Sequence, residues 1–325
     1  MAILNKIFPA VLALTLTGCY KDFGPKIPSQ EVLCINSLIT AGEPVEVQLS
    51  HTWAYNAGIN PDRTVDDATI VITVNGLPAP EGYIAAEGDS IAIRAVSTRY
   101  GEAAASVVVP HAPLSPELKY SLSRTDCGVD DYGDFTLSYA WMDVRARITI
   151  FDIPGRKNYY ELKWSTFPES TQPEDPDVSE LHNVNFYGGE FRYESEPIFG
   201  EHIGAFESAM GNNDTFGYTF FTDRQFDGAD YTLRLDFSRA HAEIIAYNDN
   251  PPADTAMGYD FTIYAVSESY YNWRVYLWNA DEGISGEMGD IGLADPMWAY
   301  SNVSTGAGVV AARAQTTIRL ILPFP

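Results

Sequence analysis

Of the three cysteines in the sequence, Cys19 stands where its chemistry is most specific. It closes Leu16-Thr17-Gly18-Cys19, directly behind Lys6 and the apolar run from Ile7 to Leu16. Small residues before a cysteine at the end of such a run form the pattern of the bacterial lipobox, in which the thiol takes a thioether-linked lipid and becomes the first mature residue. The run is too short to cross ~30 Å of hydrocarbon, so residues 1–18 read as a cleaved lipoprotein signal peptide. An ordinary secretory signal with an incidental cysteine is the alternative. Several acyl chains on Cys19 would anchor the protein stably without a spanning helix. Tyr20 follows where an inner-membrane retention signal would place an aspartate. The expected address is therefore the outer membrane, on its periplasmic or cell-surface face, with residues 19–30 as a tether interrupted by Pro25 and Pro28. Cys34 and Cys127 would then lie in a compartment where disulfides persist. One bridge closing ~90 residues would contribute roughly 4 kcal/mol in the chain-entropy model. Two free thiols are the other reading, because Cys34 sits in a strand-like run.

Other patterns with chemical meaning are sparse. His51, His111, His182, His202 and His241 are scattered with no pair four residues apart, so no zinc-binding helix is present. Gly283-Ile284-Ser285-Gly286 misses the nucleophile-elbow spacing by one residue. Gly306-Ala307-Gly308-Val309-Val310-Ala311 satisfies the dinucleotide-binding pattern as text, yet too little chain follows for the helix, strand and acidic residue that pattern needs. No cofactor is expected, apart from calcium at two acidic clusters. These are Asp126, Asp130, Asp131 and Asp134, and Asp281, Glu282, Glu287, Asp290 and Asp295, which offer oxygen ligands on glycine-bearing stretches. Solvated acidic loops are the competing reading. Residues 281–300 combine Asp281, Glu282, Asp290 and Asp295 with Gly283, Gly286, Gly289 and Gly292 and with Trp298, and form the candidate binding loop. Ser90 and Thr255, each following an aspartate, resemble O-glycosylation acceptors. Against 20 Lys and Arg stand 44 Asp and Glu, a formal charge of −24, which repels polyphosphate and excludes nucleic acid as a partner.

The elements that must position these residues are strands. Ala68 to Val74, closed by Asn75-Gly76, then Ser90 to Val96 and Ala105 to Val109 alternate with period two, which predicts an immunoglobulin-like β-sandwich over 31–112. Three prolines and the polar run from Ser121 to Asp134 read as a linker over 113–134. Strand patterns resume in a larger C-terminal antiparallel β domain over 135–325. One segment departs from them: Tyr270, Trp273 and Leu277 with Tyr271, Val275 and Trp278 recur at helical spacing behind Ser267 as N-cap, predicting a helix over about 267–279. The fold class is all-β.

Landmarks along the chain resemble a Bacteroidota family of outer-membrane lipoproteins labelled a domain of unknown function. They are Val32 to Val45; Val65 to Ile70 with Asn75-Gly76; Asp152-Ile153-Pro154-Gly155 with Asn158-Tyr159-Tyr160; Phe221-Thr222-Asp223 with Phe226-Asp227-Gly228; Ser267 to Tyr271; and Tyr300-Ser301-Asn302-Val303-Ser304-Thr305-Gly306-Ala307-Gly308-Val309. Ala307 and Val310 depart from the bulky residues usual there. The resemblance implies a lipoprotein encoded near TonB-dependent transporters and carries no catalytic residues over. Asn302, Gly306 and Gly308 also read as turn and bulge devices. The functional expectation is a non-enzymatic outer-membrane lipoprotein that binds a ligand or partner, as an accessory of a TonB-dependent nutrient transporter. A surface-anchored hydrolase of glycans or peptides, or a purely structural envelope-assembly lipoprotein, is the alternative.

Overall fold

Period-two alternation buries one face of each strand, and sheets form by covering those faces. The computed structural model describes residues 31–53, 62–152, 154–168, 184–203, 217–247, 256–281, 283 and 299–323. Met1–Glu31 with Trp53–Asp62 forms one grouping, described only at Glu31, Trp53 and Asp62; Val32–Thr52 with Arg63–Pro325 forms the other, to which the following refers. The described residues hold three sheets and one α-helix, so the chain is all-β.

The central sheet has six strands: β1 (Leu33–Thr40), β2 (Gln48–His51), β9 (Tyr159–Phe167), β12 (Phe220–Thr222), β14 (Met257–Val266) and β15 (Val310–Leu322), in the order β12-β9-β14-β15-β1-β2. Its pairs are antiparallel except β1 with β15, which run parallel from Ser37↔Val310 to Thr40↔Arg313. A second sheet orders β4 (Leu77–Pro78), β3 (Thr69–Val74), β5 (Ser90–Ser97) and β6 (Gly101–Val108). The third joins β10 (Val184–Tyr187), β13 (Tyr231–Tyr247), β8 (Phe135–Phe151) and β7 (Leu114–Asp131), with β11 (Glu190–Phe191) also on β13.

One face of β15 serves two cores. Val310 and Ala312 join Leu33, Ile35 and Ile39 against Val74, Ile91 and Ile93 of the four-stranded sheet. Further along the same face, Leu320 and Leu322 join Phe261 and Ile263 against Val144, Ile148, Leu233 and Leu235 of the five-stranded sheet. On the opposite face, Ala311 packs with Val266 and Tyr270 beneath helix α1 (Glu268–Asp281).

Two expected boundaries are corrected. The described strands of 31–112 do not close on themselves, because β1 pairs with β15 and the core they share includes Val303, Val310 and Ala312. The segment 113–134 is not a linker: Leu114–Asp131 is the edge strand β7, paired with β8 from Leu114↔Phe151 to Asp131↔Thr136. Its distal half is largely exposed on both faces, and such a strand carries the polar composition of a loop. Helix α1 begins as expected: Ser267 Oγ accepts from Tyr270 N at 3.3 Å and from Ala312 N of β15 at 3.0 Å. It ends two residues later than its sequence pattern suggests, at Asp281.

Candidate functional site

Asp152 and Gly228 are 76 residues apart in sequence and meet where the β8–β9 connection touches the turn after β12. Both are turn sequences, Asp-x-Pro-Gly and Asp-Gly, with Gly155 at φ 76° and Gly228 at φ 75°. Asp152 Oδ1 accepts from Asn158 Nδ2 at 2.9 Å and Tyr160 Oη at 3.1 Å, and its Oδ2 accepts from Gly228 N at 2.8 Å. Asp223 Oδ2 accepts from Asn158 N at 2.6 Å and Nδ2 at 3.0 Å, while Asp227 Oδ1 accepts from Gly155 N at 3.2 Å. One oxygen from each of Asp152, Asp223 and Asp227 lies within 4.8 Å of the others. Burial, then the charges of Asp152 and Asp227, push the Asp223 carboxyl above its ordinary range, against the hydrogen bonds from Asn158. Most of these oxygens already accept protein donors, so the cluster's present work is to fasten two distant turns. One oxygen from each carboxylate also makes only three ligands, fewer than the 6–8 calcium usually takes.

Two clefts open on either side of the fastened turn and share Arg156, Lys157, Asn158 and Tyr159 as their dividing ridge. The larger, about 770 Å³, runs along the Ser106–Leu114 rim of the four-stranded sheet to the first turn of α1, where Glu268, Ser269 and Asn272 face Tyr300 and Asn302. The smaller, about 470 Å³, is lined by Glu201, Thr222, Asp223, Arg224, Asp227 and Tyr271 besides the ridge. Both volumes lie within the range of small-molecule sites. Tyr159 and Tyr271 stand side by side with ring centroids 5.1 Å apart. Their hydroxyls are held, Tyr159 Oη donating to Glu268 Oε1 at 2.8 Å and Tyr271 Oη to Glu201 Oε1 at 3.4 Å. Glu201 also accepts from Thr222 N, and burial raises its carboxyl above the usual range.

Beneath α1 lies a buried polar group. Glu161 is 1% exposed and accepts from Tyr270 Oη at 2.6 Å, with Arg274 Nη2 at 3.4 Å and Lys163 Nζ at 3.7 Å. Next to it His202 packs edge-on against Trp278 at 4.7 Å and beside Phe220 at 4.5 Å. Both ring nitrogens are buried, and burial, with the neighbouring Arg274 charge, lowers its pKa to about 4 against the opposing pull of the Phe199 backbone.

The residues singled out in the sequence fare differently. Cys34 and Cys127 are both free, so of the two readings of the pair the bridge is not formed. Cys34 is half-buried in β1 of the six-stranded sheet, whereas Cys127 is exposed on the edge strand of the five-stranded sheet. Burial pushes the Cys34 thiol up. Asp126, Asp130 and Asp131 lie along β7 and its hairpin, and with Asp134 they form no metal-sized group, because an extended strand spreads its side chains over two faces. Asp131 instead closes the hairpin, accepting from Gly133 N at 2.8 Å. Asp281 is exposed at the end of α1; Glu282, Glu287, Asp290, Asp295 and Trp298 of the candidate loop lie outside the described residues, as do Cys19 and Thr255. Ser90 is exposed at the start of β5, with its amide donating to Asn75 Oδ1. In the sequence Asp152, Asp223 and Asp227 stood only within landmarks of the family resemblance, and nothing in it brought them together.

Tyr300 to Val309 forms the crossing onto β1. Ile35 N donates to Ala307 O at 2.9 Å, Ala307 N to Leu33 O at 3.0 Å and Ser37 N to Val309 O at 3.0 Å. Asn302 brackets Val310, accepting from its N at 2.9 Å and donating to its O at 2.8 Å. A Cβ on Gly306 would stand 2.4 Å from Leu33 O, and one on Gly308, at φ 109°, 2.1 Å from Ile35 O. The glycines thus serve backbone approach, as the turn-and-bulge reading has it.

Fold and site together define an all-β protein whose distant turns and C-terminal crossing frame two open clefts. The chain belongs to the family described as Domain of unknown function (DUF4249), whose model matches residues 20–319. Comparison with curated proteins returns no match.

Proposed function

We propose that the protein is a non-enzymatic lipoprotein of a Bacteroidota outer membrane that binds a ligand in its clefts and serves a TonB-dependent nutrient transporter as an accessory. The observation that carries the binding part is the pair of clefts, about 770 and 470 Å³, divided by the ridge Arg156–Tyr159. The non-enzymatic part is supported by how the nearby carboxylates are used. Asp152 and Asp223 accept backbone and side-chain donors of their own fold, a positioning use rather than that of a general acid or base aimed at a bound molecule. Anchoring rests on Cys19 and its signal-like leader, and the transporter on the family resemblance, an associational warrant.

Fractionation in the native host tests the reading. Wild-type protein is expected to take up radiolabelled palmitate, sediment with outer membranes and co-purify with a transporter; Cys19→Ser is expected to be unlabelled and released. A Cys19→Ser variant that still labels and sediments sinks the lipoprotein assignment. Hydrolysis of a glycan or peptide by the purified protein, abolished by substituting one acidic residue, sinks the non-enzymatic one.

A further inference from the structure

The smaller cleft carries both signs of charge. Arg156, Lys157 and Arg224 are exposed cations that line it, and none of the three enters an ion pair among the described residues. This is an uncommon convergence in a chain with 20 cations against 44 acids. The same cleft is lined by Asp223, 4% exposed, and by Asp227, which is exposed. Each spends one oxygen on the turns, Asp223 Oδ2 on Asn158 and Asp227 Oδ1 on Gly155. Their other oxygens, Asp223 Oδ1 and Asp227 Oδ2, accept from no donor among the described residues, and none is buried without a partner. Tyr159 and Tyr271, their rings side by side, line the cleft as well.

We infer that this cleft takes a small zwitterion, a short peptide or a free amino acid, with its carboxylate at Arg156, Lys157 and Arg224, its ammonium at the free oxygens of Asp223 and Asp227, and a side chain on the tyrosines. The inference deepens the binding reading above and rests on it. Charge decides the class. A purely anionic ligand meets the cations but also the field of a protein with net charge −24, and a purely cationic one meets the three cations. A neutral sugar leaves both sets of charges without partners, and desolvating such groups for nothing costs affinity. A zwitterion feels no net force from the overall field and supplies a partner to each set, with charge-assisted hydrogen bonds at both ends. Burial and neighbouring carboxylates raise the Asp223 carboxyl, and an ammonium beside it restores the ionised form.

Calorimetric titration of the detergent-solubilised full-length protein tests this with alanyl-tyrosine, its N-acetyl derivative, its C-terminal amide, free tyrosine, and maltotriose and trigalacturonate as neutral and anionic probes. Alanyl-tyrosine is expected to bind, and either blocked form to bind about tenfold more weakly, since each lacks one charged contact. Free tyrosine binding as well as the dipeptide assigns the site to single amino acids, and weaker binding assigns it to peptides; both support the zwitterion. Replacing the cations by Arg156→Ser, Lys157→Ser and Arg224→Ser together is expected to weaken the dipeptide about tenfold or more with the melting temperature unchanged, since all three side chains are exposed. Blocked forms that bind as tightly as the free dipeptide, or a triple variant that binds like wild type, overturn the inference. Binding of only maltotriose or trigalacturonate also overturns it while leaving the binding reading standing. Failure of every probe overturns both.

Discussion

The crossing of Gly306–Val310 onto β1 and the carboxylate cluster at Asp152, Asp223 and Asp227 both join parts of the chain that are remote in sequence, by opposite physics. At the crossing, backbone meets backbone, and the space for a side chain is gone: a Cβ at Gly308 would lie 2.1 Å from Ile35 O. At the cluster, side-chain oxygens reach across to amides, with Asp152 Oδ2 on Gly228 N and Asp223 Oδ2 on Asn158 N. The first joint is steric and carries no titratable group. The second is electrostatic, lies beside open clefts, and is tied to ionisation. A joint of the first kind fixes the fold; one of the second kind holds turns around a site and leaves free oxygens at its edge.

The largest effect is expected at the steric joint. Gly308→Ala places a methyl against Ile35 O at a φ that L-residues rarely adopt, and is expected to cost about 3–5 kcal/mol in guanidinium denaturation. Gly42→Ala is the internal comparison: its φ is 85°, but nothing lies within 4 Å of the added Cβ, so the cost is expected near ~1 kcal/mol. Equal losses at the two glycines would show that backbone conformation, not close approach, governs the crossing.

At the electrostatic joint, Asp152→Ala leaves Gly228 N and Tyr160 Oη without their acceptor and takes one of its acceptors from Asn158 Nδ2, with an expected loss of about 2–3 kcal/mol. Asn158→Ala measured singly and together with Asp152→Ala should give non-additive losses, since the two residues share one network. Additive losses would mean that the two turns are held independently.

The pH dependence sharpens the contrast. The folded pKa of His202 is about 4 against an ordinary 6.5, so its contribution is fully present above 6.5 and is lost as pH falls toward 4. Its surroundings are Arg274, Tyr218, Phe220, Trp278 and the backbone of Phe199, and no carboxylate among the described residues pairs with the ring. Replacing it by His202→Phe is expected to flatten the denaturation midpoint over that window by the equivalent of ~2–3 kcal/mol. Asp223 has the opposite sign. Its folded value is raised, so its contribution is present below the ordinary carboxylate value and is lost as pH rises through the folded one. A midpoint in His202→Phe that still falls as pH is lowered from 6.5 to 4 would move the acid sensitivity elsewhere. The Gly308→Ala loss, by contrast, should be the same at either pH.

The smallest effect is expected far from both joints. Arg94 and Glu102 pair at 2.7 Å, but with side chains 56% and 44% exposed, and Arg94→Ala is expected to leave the denaturation midpoint unchanged. A loss comparable to that of Asp152→Ala would mean that solvent screening is not what separates surface pairs from the turn cluster.

By itself the sequence determined what is local. Alternation along Ser90–Ser97 and Tyr231–Phe237 made them strands, Asn75-Gly76 made a hairpin turn, and Ser267 before an aromatic helical stripe started α1. Gly306 and Gly308 were legible as places needing glycine, since a turn or bulge is a property of a few consecutive residues. Tertiary structure alone decided partners. Parallel pairing of β1 with β15 brings Ser37 to Val310, and no local pattern states which remote strand will cover which face. Polarity made Ser121–Asp134 look like a linker, although β8 supplies the hydrogen bonds that make most of it a strand. Two cysteines in one chain could not reveal that their strands lie in different sheets. The gathering of Asp152, Asp223 and Asp227, with the cleft they border, likewise exists only once two turns meet, because hydrogen bonds and Coulomb forces act over a few ångströms of space whatever the separation in sequence.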